Sequence, residues 1–158
     1  MSGMVEASAK TIEDKARILV VDDERLFRDT ISMTLQDEGY DVVAFDSGAA
    51  VLDFLDQGGG ADLMLLDWQM PGMDGIEVLR LLRDAGSSMP VIFLTALGNQ
   101  VYEEAALARG AVDFVDKTRS FAIILRRIRL VTEGTKPLPE RAADEPAVRR
   151  DPVPEPDR

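Results

Sequence analysis

Five short, almost continuously apolar runs set the rhythm of this chain: RILVV at 17–21, YDVVAF at 40–45, DLMLL at 62–66, VIFL at 91–94 and VDFV at 112–115. Runs of this kind are strands buried on both faces, because a strand with one wet face alternates apolar and polar residues. Each is followed by a stretch with helical periodicity, such as Phe27, Ile31, Leu35 and Glu38, or Phe121, Ile124, Leu125, Ile128 and Val131. The runs recur at the length of one strand plus one crossover helix, so five successive βα units are predicted. Helix punctuation agrees: Gly39 and Gly110 follow helical runs as C-terminal caps, and Ser47 precedes one as an N-cap. The fold class is therefore α/β, a doubly wound parallel sheet.

Three segments are predicted. Residues 1–15 form a polar N-terminal extension, 16–133 the folded domain, and 134–158 a proline-rich charged linker or tail. Residues 136–158 hold six of the eight prolines and no aromatic, so they cannot bury a core. The chain carries no cysteine and no histidine, which excludes disulfides, thiol or histidine catalysis and the common zinc ligand sets. Its net charge of −11 repels nucleic acid and anionic membrane. No run is long enough to span a bilayer and no apolar leader precedes the domain. A soluble, cytoplasmic protein that binds neither membrane nor nucleic acid directly is expected.

A doubly wound sheet presents its ligand site outside the carboxyl ends of its strands. At that edge stand Asp22, Asp23 and Glu24 after the first run, Asp67 after the third, Thr95 after the fourth and Lys117 after the fifth. Singly, each has a plainer role: a helix N-cap for the Asp pair, a turn residue ahead of Pro71 and Gly72 for Asp67, loop polarity for Thr95, a solvated amine for Lys117. Together, carboxylates converging at one edge repel one another unless a cation sits among them. A hard divalent ion with oxygen ligands suits them, and Mg²⁺, which tolerates an incomplete protein cage, suits them best. An Asp carboxylate beside Mg²⁺ can attack phosphorus to form an acyl phosphate. Lys117 would add positive charge and Thr95 a hydroxyl donor to the phosphoryl oxygens.

The motifs VVDDE at 20–24, LLDWQMPGMDG at 65–75, FLTA at 93–96 and GAVDFVDK at 110–117 resemble the receiver (CheY-like) domain of bacterial two-component response regulators, over roughly residues 16–133. The resemblance implies a (βα)5 sheet in the flavodoxin-like order 2-1-3-4-5 with helices on both faces. It implies Asp67 as phosphoacceptor, Asp23 as a direct Mg²⁺ ligand, Asp22 as a water-mediated one and the backbone carbonyl of Gln69 as another. Thr95 and Lys117 would contact the phosphoryl group, with Thr95 and Phe114 as the switch pair. Gln69 and Leu97 match positions that tune dephosphorylation. Trp68 and Met70 beside the acceptor have no derivable role, and partial cover of the site is their default reading. Where the family usually follows its lysine with proline, often in a cis bond, this chain has Thr118; a cis bond there would cost about 3 kcal/mol.

The function so implied is a phosphoacceptor receiver that takes a phosphoryl group from a sensor histidine kinase or phosphotransfer protein and catalyses nothing beyond its own phosphorylation and dephosphorylation. The proline-rich tail suits a linker truncated before a DNA-binding effector domain, of the winged-helix (OmpR-type) branch. In that branch phosphorylated receivers pair through the fourth helix, fifth strand and fifth helix using acid and base pairs, and Asp113 and Arg127 match one such pair; resting on exposed ion pairs, a dimer of this chain is expected to be weak. Glu103 and Ile123 stand where a second pair would have Lys and Glu, so that bridge is missing. Arg126, Arg127 and Arg129 otherwise read as a solvated helix face. A stand-alone receiver or phosphorelay shuttle is the alternative. A Mg²⁺-dependent aspartyl-phosphate phosphatase is more distant, since such enzymes place an Asp two residues after the nucleophile, where Gln69 stands. A nucleotide- or flavin-binding domain lacks its glycine-rich loop after the first strand.

Overall fold

The computed structural model describes residues 15–96 and 100–133. All of the predicted N-terminal extension 1–15 except Lys15, the whole predicted segment 134–158, and Leu97 lie outside them. Internal contacts divide the chain into two compact units, Met1–Arg127 and Ile128–Arg158. The sheet and the site belong to the first; in the second, the described residues are the closing turns of a helix, where Glu133 N–H donates to the Arg129 carbonyl.

The elements alternate as the sequence rhythm predicts: β1 (Arg17–Val21), α1 (Arg25–Asp37), β2 (Asp41–Phe45), α2 (Gly48–Asp56), β3 (Leu63–Leu66), α3 (Gly75–Asp84), β4 (Val91–Thr95), α4 (Gln100–Ala108), β5 (Asp113–Asp116) and α5 (Phe121–Thr132). The strands form one sheet in the order β2-β1-β3-β4-β5, all parallel. Successive side chains of a strand point to opposite faces. Accordingly Leu19, Val21, Met64, Leu66, Val91 and Phe93 build one core with Val51 of α2, Val78, Leu79 and Leu82 of α3, and Ala106 of α4. The alternate residues Ile18, Val20, Leu63, Leu65, Ile92 and Leu94 are equally buried, and with them Ile31 and Leu35 of α1. This two-sided burial is what makes β1, β3 and β4 read as unbroken apolar runs.

β2 departs from that pattern. It is an edge strand with Asp41 and Ala44 exposed, so YDVVAF is only half buried. The first residues of three predicted strands fall outside the ladder. Asp62, for one, precedes β3, its carboxylate accepting from Arg17 N–H at 2.8 Å. The predicted caps are in place. Gly39 and Gly110 adopt φ of 96° and 101°, the left-handed region glycine enters freely, and Ser47 Oγ accepts from Ala50 N–H at 3.1 Å. No helix among the described residues is long and apolar enough to cross a membrane.

Candidate functional site

Register brings the acidic residues together. Val21 of β1 pairs with Leu66 of β3, and the ladder runs one step past both strand ends, with Asp67 N–H donating to the Val21 carbonyl at 3.0 Å. Asp22 and Asp67 are thereby adjacent across the strand pair, and the two residues are only 3% and 6% exposed. Asp22 is also a backbone organiser: its Oδ1 accepts from Glu24 N–H at 2.9 Å and its carbonyl accepts from Arg28 Nη1 at 2.8 Å, which fixes the turn into α1. Glu24 occupies the N-cap position and α1 has no side-chain cap, so the capping role weighed for the Asp pair is filled by neither: Asp22 bonds the N–H of the cap residue itself, and Asp23 is exposed.

Carboxylate oxygens of Asp22, Asp23 and Asp67 all lie within 4.8 Å of one another. Three oxygen donors, one facing solvent and two embedded in the sheet edge, fit a hard divalent cation that keeps some of its waters. Gln69 is exposed two residues beyond Asp67, in the loop between β3 and α3.

Lys117 is the counter-charge. Its Nζ lies 2.8 Å from Asp22 Oδ2, 3.1 Å from Glu24 Oε1 and 3.4 Å from Asp67 Oδ2, with the side chain 10% exposed. β5 carries it to this edge through the pair Thr95–Asp116, after which Lys117 N–H donates to the Thr95 carbonyl at 3.0 Å. Thr95, the last residue of β4, is 1% exposed. No cis peptide bond occurs among the described residues. The turn after Lys117 is shaped instead by Asp116, whose Oδ1 accepts from both the N–H and the hydroxyl of Thr118, at 2.8 and 2.7 Å. Those bonds hold the Asp116 carboxyl below its ordinary value.

Burial pushes the Asp22 carboxyl from 3.8 up to about 6, and the Asp67 charge adds to the rise, while hydrogen bonds from Lys117 and Glu24 N–H oppose it. Burial disfavours the Lys117 ammonium, but the hydrogen bond and charge of Asp22, then Asp67 and Glu24, outweigh that and raise it. A raised carboxyl destabilises the fold once it must ionise. The unfolded chain loses this proton near 3.8 and the folded chain only near 6, so stability contributed here falls as pH rises through that window. The fall is bounded at about 3 kcal/mol. Urea denaturation in metal-free buffer is expected to show a slope between pH 4 and 6 that Asp22→Asn removes and that Mg²⁺ flattens at the upper end; equal slopes in wild type and variant would show that Asp22 ionises as if solvated.

Phe114 is buried, ring to ring with Phe93 at 6.4 Å and edge-on to Trp68 at 6.4 Å. Trp68 in turn lies 5.2 Å from Phe93 and 5.0 Å from Tyr102 of α4, so the residue after Asp67 packs into the core against β4 and α4, and Met70 is buried in the same core. The pair Asp113 and Arg127 closes within one chain, at 2.6 Å. Sequence reasoning left Glu24 without a role, although its carboxylate faces Lys117, and assigned Phe27 only to the apolar stripe of α1; its ring lies 4.6 Å from Lys117 Nζ. Nothing in the helical period of α1 separates a ring that packs on the core from one that covers a charge.

The family model for the response regulator receiver domain matches residues 18–129. The response regulator MprA of Mycobacterium tuberculosis is 38% identical over 133 residues, 84% of this chain and 56% of that protein. MprA of Mycobacterium avium is 37% identical over 121 residues, 77% of this chain and 53% of its own length. The chain thus spans about half the length of the curated relatives it matches. Among solved structures, the receiver domain of the Francisella response regulator 1452 superposes with a TM-score of 0.72 at 28% identity, covering 77% of this chain and all of that one. The signal receiver domain of the response regulator NarL of Mycobacterium tuberculosis gives 0.69 at 31%, covering 76% and 98%. The response regulator TrrA of Thermotoga maritima, solved in complex with Mg²⁺ and beryllofluoride, gives 0.66 at 32%, covering 73% and 97%.

Proposed function

The chain belongs to the response regulator receiver domain family, and from that premise we propose that it accepts a phosphoryl group on Asp67, from a sensor histidine kinase or phosphotransfer protein in the cytoplasm, and relays the event through its surface. The observation that carries this is the meeting of one cation, Lys117, with the buried carboxylates of Asp22 and Asp67, beside an exposed Asp23 that completes an oxygen cluster. A carboxylate oxygen of Asp67 attacks phosphorus, the bond from phosphorus to the donor nitrogen breaks, and the departing imidazole keeps the electron pair and takes a proton. Lys117 lies beside the nucleophile, where its charge offsets that of the phosphoryl oxygens, and the Thr95 hydroxyl would donate to one of them. Mg²⁺, held by Asp22, Asp23, Asp67 and the Gln69 carbonyl, would screen the repulsion between carboxylate and phosphoryl group. Phe114 is the ring expected to respond when Thr95 engages that group.

The relatives extend well beyond a receiver, which supports a regulator in which residues 134–158 lead to a DNA-binding effector. This chain itself, at −11, has no charge basis for binding nucleic acid. A phosphorylation-dependent dimer through Asp113 and Arg127 would have to reopen their half-buried pairing within the chain, and re-forming such a pair at a solvated dimer face contributes only about 0–1 kcal/mol, so it would be weak.

The distinction from a phosphatase is stoichiometry. With acetyl phosphate and Mg²⁺ the protein is expected to take up one phosphoryl group per chain and to leave phosphomonoesters untouched. Many turnovers of a phosphomonoester per chain would overturn the receiver reading.

A further inference from the structure

Lys117 has a flexible four-carbon stem, and such a side chain guides a reaction only if both its ends are fixed. Its backbone end is fixed by the bond to the Thr95 carbonyl and by the turn that Asp116 closes over Thr118. Its amine end faces three carboxylates, two of them the residues that would also hold a metal ion. A cation that engages Asp22 and Asp67 weakens their hold on the ammonium, and Glu24, 61% exposed, is a poor anchor. One partner of the amine does not compete for metal: the ring of Phe27, 4.6 Å from Nζ to its centre.

Phe27 lies on the first turn of α1, one helical turn ahead of the buried Ile31, where the helix meets the carboxyl edge of the sheet. The ring is half-buried and is braced edge-on by Phe121 at the start of α5, centroids 6.1 Å apart at 74°. The bracing holds it in place against the ammonium. An aromatic face attracts a cation through its quadrupole, an attraction an aliphatic side chain of similar bulk cannot supply.

We propose that Phe27 is a positioning residue for Lys117, its ring face holding the ammonium over the site when the carboxylates turn to a metal ion. The inference rests on the receiver reading for its consequence, since a positioned amine matters there because it meets the phosphoryl group. Phe27 touches neither phosphorus nor metal; it acts through the lysine.

The test compares wild type, Phe27→Leu and Phe27→Tyr in the full chain. The chain has four lysines, so ¹³C-lysine labelling resolves the ε-methylene of Lys117 with little ambiguity. That resonance is expected to be shifted upfield by the ring current in wild type and Phe27→Tyr, with and without Mg²⁺, and to return to the range of the other lysines in Phe27→Leu. The maximal rate of phosphoryl uptake from acetyl phosphate should fall about three- to tenfold in Phe27→Leu and be retained in Phe27→Tyr, with the Mg²⁺ concentration for half-saturation unchanged. A Phe27→Leu protein that matches wild type in uptake rate, an unshifted Lys117 resonance in wild type, or a Phe27→Tyr protein as slow as Phe27→Leu would each overturn the proposal. If wild type takes up no phosphoryl group, the receiver reading fails, while the ring-current shift still decides whether Phe27 holds Lys117.

Discussion

Gly75→Ala is expected to lower stability by about 3 kcal/mol, the upper end for forcing extra atoms into a packed interior, and to depress the melting temperature by about 10–20 °C. Gly75 opens α3 where the loop from Asp67 folds back on itself, and its N–H donates to the Trp68 carbonyl at 2.7 Å. A Cβ there would lie 2.4 Å from the Asp67 carbonyl oxygen, 2.9 Å from Trp68 Cα and 2.8 Å from Phe93 Cε1. Two of these neighbours are backbone, so relief requires moving the strand end that carries Asp67. Phosphoryl uptake should fall with stability and remain low at temperatures where the variant is folded. Gly60→Ala is the matched control, because a Cβ at Gly60 meets nothing within 4 Å and its backbone is not in the left-handed region. A Gly75→Ala protein that melts with the control would show that α3 is not seated against the site.

Lys117→Met is expected to have the second large effect. It keeps an unbranched side chain one atom shorter and removes the charge, leaving Asp22 and Asp67 buried without the cation 2.8 and 3.4 Å away. Breaking a buried pair by removing one partner costs roughly 3–5 kcal/mol, and the partial exposure of Lys117 argues for about 3. The loss should be largest near neutral pH without metal. It should shrink toward pH 4, where Asp22, raised to about 6, is protonated and no longer needs a partner. Mg²⁺ should recover part of it, yet phosphoryl uptake should stay depressed by tenfold or more, because the metal replaces the charge among the carboxylates and not the ammonium beside the phosphoryl oxygens. Wild-type stability for Lys117→Met in metal-free buffer at neutral pH would mean that the carboxylates are solvated.

The sheet was legible because β1, β3 and β4 are covered on both faces, and double burial writes itself as LVV, LMLL and VIFL. The edge strand β2 is less so: its apolar residues imitate a buried strand, while its position at the sheet margin depends on partners distant in sequence. The acidic cluster was legible for a geometric reason, since polar residues placed directly after parallel strands must share one edge. Phe27 was hidden. Its spacing from Ile31 and Leu35 satisfies the α1 stripe whether the ring meets aliphatic side chains or an ammonium from β5, and only the three-dimensional register decides which. Asp113 and Arg127 were legible as a pair by charge type, but whether they close within a chain or between two chains depends on the distance that β5 and α5 set.

The central claim is that Asp67 alone receives the phosphoryl group, and intact-protein mass spectrometry after incubation with acetyl phosphate and Mg²⁺ tests it most directly. One phosphoryl mass on the wild type and none on Asp67→Asn is the predicted result; undiminished incorporation in Asp67→Asn, or labelling mapped to another residue, would contradict it.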